Sequence, residues 1–183
     1  MHETKYKKLE SSFFTEIKRG NVSKLKRLLD KKVSINTLDE HHQSALIVIL
    51  HEIRYAYDLK NSFYLPLIQF LLATPNFNLD IQESWTYDTA LICAVRYKNI
   101  PIIQLLLAAN ASVGIKNWQQ FTAIDYAAED DTKELSSILK NHIHQLDTLI
   151  KNDIENHIAN KQDEEAVGTA VAFDIAQIIR GYL

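Results

Sequence analysis

Cysteine is almost missing: Cys93 is alone among 183 residues. No disulfide can form within the chain, which fits a reducing compartment. Glycine (4) and proline (3) are scarce. With so few breakers and so many Leu, Ile and Lys, helices are favoured throughout. Charge of one sign is also lacking. The formal net charge of -3 argues against a chain whose main task is neutralising nucleic-acid phosphates. Long apolar runs are absent too, since the longest strongly apolar stretch, Ala45 to Leu50, is far too short to span a bilayer. The opening MHETKYKKLESS has no apolar core for a signal peptide. A cytoplasmic chain is expected, with delivery by a route that needs no cleaved signal left open.

Catalytic signatures are missing as well. There is no phosphate-cradling glycine loop, no GxSxG and no HExxH. His41-His42 and His142/His144 sit at adjacent or alternate positions, which do not share a helix face. Both pairs are read as solvated. Glu129-Asp130-Asp131 is read as a solvated helix end, Cys93 as a small buried hydrophobe, and the basic run Lys24, Lys26, Arg27, Lys31, Lys32 as the wet face of a helix. No enzyme activity, cofactor or metal is expected.

What is present is a repeat. FFTEIKRGNVSKLKRLLDKKVSINTLD (13–39), QSALIVILHE resuming as PLIQFLLATPNFNLDIQ, DTALICAVRYKNIPIIQLLLAANASVGIKN (88–117) and a shorter FTAIDYAAEDDTKELSSILK (121–140) align. Phe13 to Leu46 is 33 residues, Leu91 to Ile124 is 33, and Leu46 to Leu91 is 45, one period plus twelve. Leu29 to Leu72 is 43, so ten of the extra residues fall between the two helices of the second copy, within about 51–65. Ile102, Leu105, Leu106 and Ala109 mark an apolar helical stripe, and Ala94, Ala127 and Ala128 allow close helix approach. One copy cannot bury its own apolar face, so neighbours must stack.

These residues resemble the ankyrin-repeat family. Thr89-Ala90-Leu91-Ile92 and Thr122-Ala123-Ile124-Asp125 match its motif's opening, Ala127-Ala128 its alanine pair and Gly20-Asn21 its turn between helices. Leu28-Leu29 and Leu106-Leu107 match its leucine pair. Asn110-Ala111-Ser112-Val113 and Val33-Ser34-Ile35-Asn36 match the stretch that follows. The motif's His is Ile47, Ile92 or Asp125 here, its Pro is Ala, and its helix-ending Gly is Lys32 or Asn110. The resemblance covers residues 11–141. It implies an all-α solenoid of four helix pairs with short β-turn fingers over 1–141, followed by a helical extension over 142–183.

That extension falls outside the repeat. Ile143, Leu146, Ile150, Ile154 and Ile158 form one amphipathic face, Asn160 to Glu165 a polar break, and 164–183 a broadly apolar helix. Such a face needs covering. Capping the stack is favoured over pairing with the preceding helix and over a homodimer formed through 164–183, which would make the chain a homo-oligomeric structural scaffold. Tyr55, Tyr57, Phe63 and Tyr64 crowd the insertion. A longer first helix with packed aromatics is preferred there to a separate binding edge.

The resemblance also implies partner binding, at the fingertips and the inner face of the first helices. By position these are Glu40, His41 and Gln43; Trp85, Thr86 and Asp88; Trp118, Gln119 and Phe121; and Arg96 with Tyr97. Other helix-end positions are Lys18-Arg19, His51-Glu52 and Glu129-Asp130. Trp85 and Trp118, the only tryptophans, are 33 residues apart and so fall at one fingertip position in successive copies. Trp, Tyr and Arg are the commonest interface hot spots. A protein partner is therefore expected, with no nucleic acid and no membrane insertion. Lys outnumbers Arg 15 to 5 and Ile is abundant, as in coding from an AT-rich genome. A small, divergent ankyrin protein of this kind resembles effectors that intracellular bacteria aim at host proteins, and its Glu-containing tail is similar to their secretion signals.

Overall fold

The computed structural model describes residues 2–54, 59–130 and 133–159. They form α1 (His2–Lys18), α2 (Val22–Asp30), α3 (Ala45–Ile53), α4 (Leu59–Leu72), α5 (Ala90–Arg96), α6 (Ile100–Ala108), α7 (Ala123–Ala128) and α8 (Glu134–Ala159), with no strand among the described residues. Consecutive helices pair as α1 with α2, α3 with α4, α5 with α6 and α7 with α8. The first helices α1, α3, α5 and α7 stack in a row, while α2 packs on α4 and α6 on α8. This is the all-α stack of helix pairs that the resemblance implies.

The repeated residues have repeated jobs. Ser44, Thr89 and Thr122 each N-cap a first helix, accepting a hydrogen bond from the backbone N–H three residues on. Asn21 and Asn99 cap second helices in the same way. A cap of this kind stabilises its helix by about 1 kcal/mol. At the fourth copy, Asp125 closes a capping box by accepting from the Thr122 N–H, and these hydrogen bonds hold its carboxyl below the ordinary range. The middle row is almost wholly apolar: Leu46, Ile47, Ile49, Leu50, Leu91 and Ile92 of α3 and α5 are each buried. Full burial of one such side chain contributes about 1.5–3 kcal/mol.

Three kinds of backbone position recur in the left-handed region. The turn between paired helices has Gly20, Lys98 and Lys133; the second helix's end has Lys32, Asn76 and Asn110; the finger has His42, Tyr87 and Gln120. Gly20 is the one glycine among these, and it is also crowded. A Cβ there would lie 2.8 Å from Cε1 of Phe63.

Phe63 belongs to the insertion, which corrects one expectation. The extra residues lengthen the second helix, α4, at its start; α3 is not the long member of the pair. Pro66, which aligns with Pro101 in the first turn of α6, consequently sits inside α4. Tyr64 is buried and donates a 2.8 Å hydrogen bond to the Lys18 carbonyl. With Phe63 over Gly20, the added turns clasp the first copy's inter-helix turn. Tyr55 and Tyr57 lie outside the described residues.

At the other end, α8 runs through 141–142 without a break, so the fourth copy's second helix and the amphipathic segment at 143–158 are one helix. Ile143 packs on the core, whereas Leu149 is exposed. The polar break and the apolar helix expected at 164–183, with its capping, dimer and secretion readings, lie outside the described residues.

Candidate protein-binding surface

Each finger is a short turn closed by backbone hydrogen bonds. In the first, the Asp39 N–H donates to the Gln43 carbonyl at 3.1 Å, and Asp39 Oδ1 accepts from the N–H groups of His41 and Gln43. In the third, Asn117 repeats this arrangement with Phe121 and Gln119. The second finger runs from Glu83 to Asp88, one residue longer, with the Glu83 N–H bonded to the Asp88 carbonyl. Its anchor is correspondingly longer, and Glu83 accepts from the Thr86 hydroxyl. A Glu replaces a short Asp or Asn where the turn has one residue more to span.

The fingers are also joined to each other. Ser84 Oγ donates to the His41 carbonyl, Gln82 Nε2 to the Lys116 carbonyl, and the Trp118 N–H to the Thr86 carbonyl. Trp85 and Trp118 therefore ride on neighbouring, mutually braced turns, and the two residues are 78% and 60% exposed. Neither indole is folded back into its own hairpin. Tyr87 (52% exposed) extends the apolar tip, and the sequence reading missed it although it stands two residues from Trp85.

Below the tips, side chains converge on Tyr126. Arg96 stacks over its ring at 5.4 Å, Phe121 meets it edge-on at 5.4 Å, and its hydroxyl donates to Gln119 Oε1 and accepts from Asn117 Nδ2. Tyr126 was also missed; its one signal was an aromatic on the inner face of a first helix, where the other copies have Thr15, Val48 and Cys93. A shallow groove of about 270 Å³ follows, lined by Val95, Arg96, Lys98, Tyr126, Glu129 and Asp130 among others.

The expected binding residues thus separate. Glu40, His41, Trp85, Arg96, Trp118, Gln119 and Phe121 are exposed; Gln43, Thr86 and Tyr97 are half-buried. Asp88 is fully buried, which removes it from the contact surface. One carboxylate oxygen pairs with Arg96 and the other accepts from Asn117 Nδ2, so it fastens the second finger to α5 and to the third finger. Asp130 is a second correction. It is buried and bound to Lys98 Nζ at 2.6 Å, whereas Glu129 is exposed; Asp131 lies outside the described residues. Among the histidines, His41, His42 and His144 are exposed as expected, but His142 is half-buried and burial lowers its pKa.

Between the second and third copies, the stack brings together three residues of metal-ligating type. His51, Glu83 and Cys93 each place a donor atom within 4.8 Å of the others. Burial lowers the His51 pKa, partly opposed by Glu83, and raises that of the Cys93 thiol.

With this geometry in place, comparison with known families gives one match. A family model described as ankyrin repeats (3 copies) matches residues 53–148, more than half of the chain.

Proposed function

The chain belongs to the ankyrin-repeat family, and on that premise we propose that it binds a partner protein through its braced fingers and the inner face of its first helices. Ankyrin repeats are in general protein-interaction modules. The observation that carries the assignment to this face is the pair of exposed indoles on adjacent fingers, Trp85 and Trp118. Large apolar side chains held out on a rigid backbone bind at little entropic cost, because the turns that carry them are already fixed. Tyr87, Phe121, Gln119 and Arg96 continue the surface inward, with Glu40, His41, Gln43, Thr86 and Tyr97 beside it. Asp88 belongs to its foundation. The chain acts by binding, without catalysis, in the cytoplasm. We place the partner in a host cell, on the Lys-rich, Ile-rich composition that resembles bacterial effectors. No helix among the described residues is long and apolar enough to cross a membrane.

The test is capture from a eukaryotic lysate by wild type and by Trp85→Ala/Trp118→Ala. A specific protein held by wild type and lost by a folded double mutant supports the assignment. The same protein held by both moves the site elsewhere, and no capture at all removes the support for a host partner.

A further inference from the structure

We propose that His51, Glu83 and Cys93 form a binding site for one divalent metal ion of the zinc class, at the junction of the second and third helix pairs. The three come from separate segments: the last turn of α3, the root of the second finger and the middle of α5. Their donor atoms, an imidazole nitrogen, a carboxylate oxygen and a thiol sulfur, lie within 4.8 Å of one another. Tetrahedral zinc, with bonds of about 2.0 Å to nitrogen and about 2.3 Å to sulfur, needs donor pairs roughly 3.3–3.6 Å apart. Binding would therefore draw the most separated donors together by up to about 1.5 Å.

The next junction shows why this set is informative. One copy along, the positions of Gln43, His51, Glu83 and Cys93 are held by Asp88, Arg96, Asn117 and Tyr126. There they converge too, through the Asp88–Arg96 pair, the Asn117 bonds and the Arg96–Tyr126 stack. The same architectural point is closed by hydrogen bonds and a cation on an aromatic face at one junction. At the other it is occupied by three groups that all ligate metals.

The chemistry of the donors selects the ion. Thiolate with imidazole and carboxylate suits a cation of borderline softness, and a fourth position remains to be filled. Gln43 stands beside it, its amide 3.0 Å from Glu83 Oε2 and 3.3 Å from His51 Nδ1. Turned over, that amide supplies an oxygen as the fourth ligand. On binding, Cys93 releases one proton to solvent and a sulfur–metal bond forms, with no change of oxidation state. The two positive charges of the ion are then balanced by the thiolate and the carboxylate. That neutrality matters where Glu83 and Cys93 are only 5% and 1% exposed. His51 is half-buried and gives the ion its route in.

The experiment is a cobalt(II) titration of the chelator-treated full chain, followed by zinc. It uses the metal alone, so its outcome is independent of partner capture. One equivalent of cobalt should give a near-ultraviolet thiolate charge-transfer band, displaced by zinc. Cys93→Val, which places at 93 the residue type found at Val48, should keep the helical circular dichroism and lose the band. His51→Gln should keep the fold and bind cobalt at least tenfold more weakly, and it carries the test should Cys93→Val fail to fold. A folded wild type without the charge-transfer band overturns the proposal, as does undiminished affinity in His51→Gln.

Discussion

The tip and the root of one finger are only a few residues apart and are made by opposite physics. At the tip of the second finger Trp85 is 78% exposed; at its root Asp88 is 0% exposed. The root residues spend every polar group on the stack: Asp88 on Arg96 and Asn117, Glu83 on Thr86 and Gln43. The tip tryptophans are held through backbone, as in the Trp118 N–H bond to the Thr86 carbonyl, and their side chains stay clear of the stack. Stability is concentrated below and contact area is offered above. A substitution at either level should therefore move one property and leave the other.

Asp88→Ala should break the comparison most severely. It removes a buried acceptor from both Arg96 and Asn117. Loss of a partner from a buried ion pair costs about 3–5 kcal/mol. Arg96 is 41% exposed on its side chain and can return to water, so about 3 kcal/mol is expected. Denaturant unfolding should show a lower midpoint with little change in slope. A loss below about 1 kcal/mol would mean that the root network contributes little.

The tip variant Trp85→Ala/Trp118→Ala is the complement. Its unfolding midpoint should match wild type within about 0.5 kcal/mol, as for exposed sites generally. Its dissociation constant for the captured partner should rise at least about 30-fold, the effect of losing one strong hot spot. A large fall in stability would show that the indoles pack after all.

These two variants also mark what the sequence made legible. The Trp pair was found because a 33-residue offset places both at one height in neighbouring copies, and periodicity needs no knowledge of packing. Asp88 was misplaced for a related reason. It lies within the tip segment, and its partners Arg96 and Asn117 become neighbours only when α5 and the next finger are stacked. His51, Glu83 and Cys93 were invisible for the same cause: they come from two copies and no local motif joins them. The leucine offsets put the insertion between the paired helices, but an alignment cannot say which helix absorbs it. Phe63 and Tyr64, by gripping Gly20 and Lys18, show that it was α4.

Gly20 gives a smaller effect that separates backbone strain from crowding. Its φ of +64° disfavours any side chain, and Phe63 occupies the space a methyl would fill. Gly20→Ala should cost about 1–2 kcal/mol, a few degrees in melting temperature. Adding Phe63→Ala should recover the part due to crowding and leave the part due to φ.

The smallest effect, and the only gain, is expected at Lys32. Lys32 and Asn110 end their second helices in one geometry. Each donates its N–H to the carbonyl three residues back, and the next residue's N–H reaches five residues back. Their φ values are +65° and +62°. Asn tolerates the left-handed region through its short polar side chain; Lys has no such relief and is held there by the cap itself. Lys32→Gly should therefore stabilise the chain by about 0.5–1 kcal/mol, the strain relieved less the extra freedom glycine gives the unfolded state. Asn110→Gly should gain only a few tenths. Thermal melts of the two single variants decide the point. Equal gains would show that the side chain at this cap is immaterial and that only the left-handed backbone counts.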